Sequence, residues 1–200
     1  MDWIEESRNL GSQNQLGESL ALLHNNQNKY YGFQFNNKLG INTQLNAPEM
    51  KIKNWADFFW NYRINFQITL AKKNNLISCN ENEKLLTLKN YVYRKLDIKT
   101  YPSLLHGDLW SGNYISNSKG PFFIDSAAYF GHREADFALT YMFGGFSREF
   151  YQSYEKRLPF EENHEERKPI YMIYHYLNHL NLFGASYLEA VLKCYQKIIN

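Results

Sequence analysis

Apolar positions recur every three to four residues along most of this chain, a period that predicts a protein built mainly of helices. Leu16, Leu20 and Leu23 fall at i, i+4 and i+7, an amphipathic helix ending at His24, where a terminal histidine suits the helix dipole. Trp55, Phe58, Phe59, Tyr62, Phe66 and Thr69 share one face over residues 54–72, with Arg63 among them as a candidate partner for an acid. Leu85, Leu88, Val92 and Leu96 form the inward stripe of a helix over 82–96, and Pro102 closes the connector behind it. Further helices are predicted from Gly131 to about Met142, from Arg148 to Lys156 with Ser147 as N-cap, and through Ile173, Leu177 and Leu180 as far as Gly184. A last amphipathic stripe runs through Leu188, Val191, Leu192, Tyr195 and Ile198. Tyr31 to Pro48 has Gly, Asn and Pro in place of a period and reads as a long loop, the kind that often holds a substrate. Glu161 to Lys168 is mostly charged and reads as a solvated loop and helix start.

One stretch breaks the helical period. Leu104 and Leu105 end a buried strand, and His106-Gly107-Asp108-Leu109-Trp110-Ser111-Gly112-Asn113 follows as a loop whose glycines permit an unusual backbone path. Tyr114-Ile115, a turn over Asn117-Ser118-Lys119-Gly120 and Pro121-Phe122-Phe123-Ile124 then read as a small hairpin. A hairpin folds back on itself, so Asp125 returns close to Asn113. Two carboxylates and an amide oxygen are hard ligands of the kind Mg²⁺ takes. Their spacing matches the division of labour in phosphoryl transfer by kinases. There an Asp accepts the hydroxyl proton, an Asn five positions on holds metal, and an Asp after a short hairpin holds metal. Asp108, Asn113 and Asp125 take those three places. The bland alternative is an Asp and an Asn capping turns beside Gly, which requires three spacings to agree by accident.

Composition narrows the class. The 200 residues suffice for one domain with a real core, and 44% hydrophobic with 17% aromatic residues argues for a packed globule. A net charge of +2 gives no argument for a nucleic-acid partner or a membrane surface. Cys79 and Cys194 form neither a disulfide framework nor a metal-ligand spacing. His175 and His179 stand at i, i+4, which suits Zn²⁺, but no Glu of the zincin pattern lies between them and no third ligand is near. Met1-Asp2-Trp3-Ile4-Glu5-Glu6 lacks the basic and apolar regions of a signal peptide, and no apolar run approaches a membrane span. A cytoplasmic protein is expected.

His-Gly-Asp-Leu-Trp-Ser-Gly-Asn at 106–113 resembles the catalytic loop of the fructosamine kinase (ketosamine-3-kinase) family, relatives of the aminoglycoside phosphotransferases. Tyr129-Phe130-Gly131-His132-Arg133-Glu134-Ala135-Asp136, Met142-Phe143-Gly144-Gly145-Phe146 and His175 to Gly184 extend the resemblance. It departs at Ser126, where the family has Pro after the metal-binding Asp. The resemblance implies a protein-kinase-like C-terminal lobe over 1–200, mainly α (α+β), with a small hairpin carrying the metal ligands. It implies ATP as phosphoryl donor, Mg²⁺ as cofactor and, as acceptor, a ketosamine on a protein lysine or a small amine. Asp108 would be the catalytic base, with Asn113 and Asp125 on the metal. Asp2, Trp3 and Ile4 would lie in a hinge segment, residues 1–10, beside the nucleotide. Trp110, Phe33, Asn37 and His179 are the substrate-side candidates, though Trp110, Phe33 and Asn37 also read as packing or turn residues. His106, as a buried imidazole bonding backbone near Asp125, and Asp136, as the acid that binds catalytic-loop amides, would support the loop from behind. No glycine-rich loop and no Lys-bearing strand precedes the catalytic loop. The N-terminal, nucleotide-gripping lobe is therefore expected to be absent. The alternatives are a truncated, non-catalytic remnant, half of a split kinase completed by a separate chain, or a kinase for choline or an aminoglycoside.

Overall fold

The computed structural model describes residues 13–200. The candidate hinge residues Asp2, Trp3 and Ile4 lie outside that range. Among the described residues the order is α1 (Gln13–His24), β1 (Asn37–Leu39), β2 (Asn42–Gln44), α2 (Trp55–Phe59), a π-turn (Trp60–Ile64) and α3 (Asn65–Lys73). There follow α4 (Cys79–Leu86), α5 (Leu88–Leu96), β3 (Ser103–Leu105), β4 (Tyr114–Asn117), β5 (Gly120–Phe123) and β6 (Tyr129–Gly131). A 3₁₀ turn (Arg133–Phe137) leads to α6 (Ala138–Phe143), α7 (Arg148–Arg157), α8 (His164–Phe183), a 3₁₀ turn (Ala185–Tyr187) and α9 (Leu188–Ile199). The helices dominate, as their period predicts. The strands form three two-stranded antiparallel pairs, β1 with β2, β3 with β6 and β4 with β5.

Two apolar clusters flank the loop after β3. The larger joins α2, α3, α5, α8 and α9 to β3 and β6, through Phe58, Phe59, Ile68, Val92, Leu105, Tyr129, Tyr171 and Leu177. The smaller joins α1, α7 and the 3₁₀ turn before α6, through Leu16, Leu20, Leu109, Phe137, Phe150 and Tyr154. Leu105 thus belongs to one cluster and Leu109 to the other, and burial of both pins the intervening residues. The helices α1 and α7 approach so closely that a Cβ on Gly17 would sit 2.2 Å from the Phe150 carbonyl oxygen.

Several expectations are corrected. The face predicted through Tyr62, Phe66 and Thr69 does not stay buried: Thr69 is exposed, and Arg63, Ile64, Gln67, Ile68 and Ala71 point inward instead. The π-turn over 60–64 inserts an extra residue and rotates everything after it about one position around the axis. Arg63 pairs with no acid among the described residues. Its guanidinium donates to the carbonyls of Leu45 and Tyr62 and to Asn46 Oδ1, and it stacks 4.0 Å from the Tyr129 ring centroid. The predicted 82–96 helix starts at Cys79, because Ser78 and Glu81 form a reciprocal capping box, and it breaks at Thr87. The long loop of 31–48 contains the hairpin β1–β2, turned at Gly40 with φ +63°. Ser147 precedes α7 without accepting from its amides; its hydroxyl donates to Glu149 instead. The charged 161–168 stretch is not wholly solvated. Arg167 is buried and makes a two-pronged ion pair with buried Glu134, Nε to Oε2 and Nη2 to Oε1, each at 2.7 Å.

Candidate functional site

The loop carrying Asp108 leaves β3, which pairs with β6 in the register Ser103↔Gly131, Leu104↔Phe130 and Leu105↔Tyr129. That pairing brings the Arg133–Phe137 turn, just after β6, behind the loop. Asp136 lies in this turn with 3% exposure, and its two oxygens accept the backbone N–H of His106 and of Gly107, each at 2.7 Å. Burial pushes the Asp136 carboxyl up, but the hydrogen bond from His24, the neighbouring imidazoles of His24 and His106 and the Gly107 amide outweigh it, and the net shift is downward. Gly107 adopts φ +81°, and a Cβ there would meet the Ala127 carbonyl oxygen at 2.1 Å. Only glycine fits this corner.

His106 links both candidate carboxylates from below. Its Nδ1 accepts the Asp108 amide at 3.2 Å, and its Nε2–H donates to the Ile124 carbonyl, one residue before Asp125, at 2.9 Å. Burial lowers its pKa, consistent with a neutral ring carrying its proton on Nε2. Asn113 closes the loop from the other side. Its Nδ2 donates to the Asp108 carbonyl at 2.8 Å and to Asp108 Oδ2 at 3.1 Å, while its own carbonyl accepts the Ile124 amide at 3.1 Å. The hairpin β4–β5, in register Tyr114↔Phe123 to Asn117↔Gly120, is what returns the chain to this point. Asp125 is exposed and sits at φ +51°, a conformation uncommon outside glycine, asparagine and aspartate. Asp108 is mostly buried, and burial raises its carboxyl to about 6, against the lowering hydrogen bond from Asn113.

Asp108 faces a cavity of about 500 Å³. Trp110 and His179 line it with Leu39, Gly40, Ser111, Leu139, Phe143, Asn178, Leu182, Phe183 and Tyr187. Trp110 is 43% exposed, and its indole lies over Gly112, where an added Cβ would be 2.3 Å from the ring. His179 Nδ1–H donates to the His175 carbonyl at 2.7 Å, and its ring packs among Phe143, Phe183 and Tyr187. Of the four substrate-side candidates, Trp110 and His179 are therefore brought to Asp108 and two are not. Phe33 packs on Phe35 and Phe130 and lines a separate cleft with Tyr30 and Met50. Asn37 spends its amide on the protein: Nδ2 donates to the Ala128 carbonyl at 2.8 Å, and Oδ1 accepts from Gln44 and Asn46. It fastens the β1–β2 hairpin, whose tip at Gly40 walls the cavity.

His24 does more than end α1 beside the helix dipole. It is 1% exposed, and its Nε2 lies 3.0 Å from Asp136 Oδ2 and its Nδ1 2.8 Å from the Tyr154 hydroxyl. A histidine ending an amphipathic helix on the inward face, four residues after Leu20, carried the signal.

Asn113 and Asp125 suit a hard cation. The Asn113 amide nitrogen is already committed to Asp108, which leaves its oxygen as the coordinating end, and Asp125 presents an exposed carboxylate. Among the described residues no cluster of three or more His, Cys, Asp or Glu forms a metal cage, and no helix is long and apolar enough to cross a membrane.

Helices packed behind a strand, loop and hairpin that bear an Asp, an Asn and a second Asp define a kinase-like fold of the APH type. Its likeness to the gentamicin–APH(2")-IIa complex (TM-score 0.56, 16% identity, covering 99% of this chain and 69% of that one) bears on fold alone. A model of the fructosamine kinase family matches residues 1–200, and the chain belongs to that family. It is 41% identical over 193 residues to a probable ketoamine kinase of Enterococcus faecium, covering 96% of this chain and 68% of that protein. It is 35% identical over 196 residues to a protein-ribulosamine 3-kinase, chloroplastic, of Arabidopsis thaliana, covering 96% and 59%. A crystal structure from Thermobifida fusca, provisionally titled a fructosamine-3-kinase, superposes with a TM-score of 0.92 at 25% identity, over 100% of this chain and 69% of that one. The chain thus spans roughly two thirds of the length of these relatives.

Proposed function

We propose that this chain carries the acceptor and metal side of an ATP-dependent kinase for ketosamines, the sugar adducts of a protein lysine or a small amine. The observation that carries the reading is the joint held by His106 and Asn113, which ties the backbone of Asp108 to that of Ile124, the neighbour of Asp125. Phosphoryl transfer asks little covalent chemistry of a protein; it asks for a positioned hydroxyl and neutralised charge. Asp108 accepts the proton of the acceptor hydroxyl, and its raised carboxyl pKa makes it a stronger base than an exposed aspartate. Asn113 Oδ1 and the Asp125 carboxylate would hold Mg²⁺, which supplies charge neutralisation at the phosphates when bound. Trp110 offers an apolar face to the sugar, and His179 lines the same cavity. His106 and Asp136 keep the loop in shape.

The relatives' names, ketoamine kinase and ribulosamine 3-kinase, support a glycated amine as acceptor. None of the comparisons supports a separate chain completing the site. Cytoplasmic residence belongs to the proposal as well, beside plant relatives whose names read chloroplastic. The test is ATP consumption with a fructosylated or ribosylated amine, with and without Mg²⁺, following the phosphorylated sugar by ³¹P NMR. The expected result is Mg²⁺-dependent transfer to a sugar hydroxyl. Absence of transfer from the protein carrying all the residues of its longer relatives would overturn the reading.

A further inference from the structure

We infer that Tyr154 is a positioning residue for the loop that bears Asp108, acting by fixing which nitrogen of His24 carries the proton. The inference rests on the kinase reading for its effect on turnover, but not for its effect on His24. Tyr154 lies on α7, outside the lining of the cavity, and its side chain is fully buried. It stands in a run of hydrogen bonds whose polarity can be assigned from the donors at each end. At the loop end, Asp136 takes two backbone N–H groups, so it is an acceptor, and His24 Nε2 must bear the hydrogen it offers at 3.0 Å. At the other end, Arg133 Nη1, which has only hydrogens to give, lies 3.4 Å from the Tyr154 oxygen. That oxygen accepts from Arg133, and its own hydrogen then has His24 Nδ1, 2.8 Å away, as its acceptor among the described residues. Every group is satisfied when His24 is neutral with its proton on Nε2. With the proton on Nδ1, Nε2 and Asp136 would be two acceptors face to face. With both nitrogens protonated, the Tyr154 hydrogen would have no partner among the described residues.

Arg133 is itself anchored, by the carbonyls of Leu158 and Pro159 and by Glu161, so the segment after α7 contributes to this orientation. The consequence reaches the site in two steps. His24 holds Asp136, and Asp136 holds the amides of His106 and Gly107, the two residues before Asp108. Phenol burial raises the Tyr154 pKa further, which keeps the hydroxyl a donor across the accessible pH range.

The test is Tyr154→Phe, which removes one oxygen and leaves the ring, compared in two backgrounds, the natural His24 and His24→Gln. A glutamine amide nitrogen can replace the Nε2–H donor and has no tautomer to choose. In the natural protein, ¹⁵N NMR of labelled histidine should report His24 as neutral and protonated on Nε2. Tyr154→Phe should broaden or split that signal and speed exchange of the Gly107 amide about fivefold, the scale of one buried hydrogen bond. It should also lower kcat about fivefold at unchanged KM. In the His24→Gln background, Tyr154→Phe should change Gly107 exchange and kcat by less than about twofold, the mark of coupling between the two residues. A His24 signal showing Nδ1–H or a cation in the natural protein overturns the inference. Equal losses in both backgrounds overturn it too, because they describe a packing role. Altered exchange with no phosphoryl transfer in any variant leaves the positioning intact and overturns the kinase reading.

Discussion

Leu105 to Leu109 and Trp110 to Gly112 are neighbours on one loop, yet they are held in opposite ways. In the first segment every residue except Asp108 is fully buried, and Asp136, His106 and Ala127 close on the backbone from three sides. The second segment is exposed throughout; the Trp110 indole lies over Gly112, and Ser111 packs against Gly145. On the proposed function the contrast has a reason: a base must be aimed within tenths of an ångström, which calls for an over-determined carrier, and a surface that meets a ligand has to stay open.

Asp108→Asn should have the largest effect on activity, a loss on the order of 10²–10⁴ in kcat if the carboxylate is the base. Its effect on stability should have the opposite sign. Burial raises the Asp108 carboxyl to about 6, above its ordinary value of 3.8, so the folded protein binds that proton more tightly than the unfolded chain does. The resulting stabilisation is complete below about pH 4 and is lost as pH rises through about 6. Asn never ionises, so at pH 7.5 the variant should melt higher than the natural protein, by at most ~3 kcal/mol and less after solvent screening. The difference should vanish near pH 4. Activity of the natural protein should fall as pH drops through about 6, because the base is then protonated. A variant both less active and less stable at pH 7.5 would place Asp108 among the structural residues.

Arg167→Met tests the support one layer further back. Glu134 lies two residues before Asp136 on the same 3₁₀ turn, buried, and Arg167 satisfies both of its oxygens. Removing the cation leaves a buried carboxylate without a counter-charge, which costs about 3–5 kcal/mol. Chemical denaturation should show a loss of that size. Arg167→Met combined with Glu134→Gln should recover most of it, since no charge is then stranded.

How much of this was legible in the sequence follows the same divide. Asp108, Asn113 and Asp125, the proposed base and metal ligands, stand out in the sequence because only a loop and a short hairpin separate them, and Asn113 does meet both Asp108 and the Ile124 backbone. The helices were legible where one apolar face ran unbroken, as in α8 and α9. The π-turn at 60–64 was not, because an inserted residue leaves the apolar count intact and only rotates the face. His24 and Tyr154 were not legible as a pair: 130 residues separate them, and the inward face that marks His24 as buried does not say which groups it will meet. For Asn37 and Phe33 the sequence left a substrate role and a packing role open for a related reason. A polar or aromatic residue in a loop looks the same whether it faces a ligand or bonds the protein's own carbonyls, and here Ala128, Gln44 and Asn46 take up the Asn37 amide.

Gly107→Ala strikes the fixed half of the loop directly. The residue sits at φ +81°, which is strained for any side chain, and its new methyl would collide with the Ala127 carbonyl oxygen, part of the backbone. A loss of more than about 2 kcal/mol is expected, together with loss of the Asp136 clamp and hence of kcat. Thermal melting and turnover should fall together. Retention of both would mean that this corner can open without consequence.

Gly112→Ala makes the nominally similar change five residues later, and its effect should be the smallest. Gly112 has no left-handed φ to lose, and the atoms a Cβ would meet, at 2.3–2.6 Å, all belong to the Trp110 indole. That indole is 43% exposed and ends a side chain with two rotatable bonds, so it can swing aside into the cavity mouth. Stability should change by less than about 1 kcal/mol, as is usual where an exposed side chain can yield. What should change is the position of the Trp110 face relative to Asp108. If Trp110 supports the acceptor sugar, KM should rise severalfold while kcat moves little, because the base and its clamp are untouched. Trp110→Ala should raise KM in the same way. Gly112→Ala made in that background should then add almost nothing, since the ring it displaces is gone. A large stability loss from Gly112→Ala, equal to that from Gly107→Ala, would show that the exposed half of the loop is as rigid as the buried one. The division of labour between the two halves would then fail.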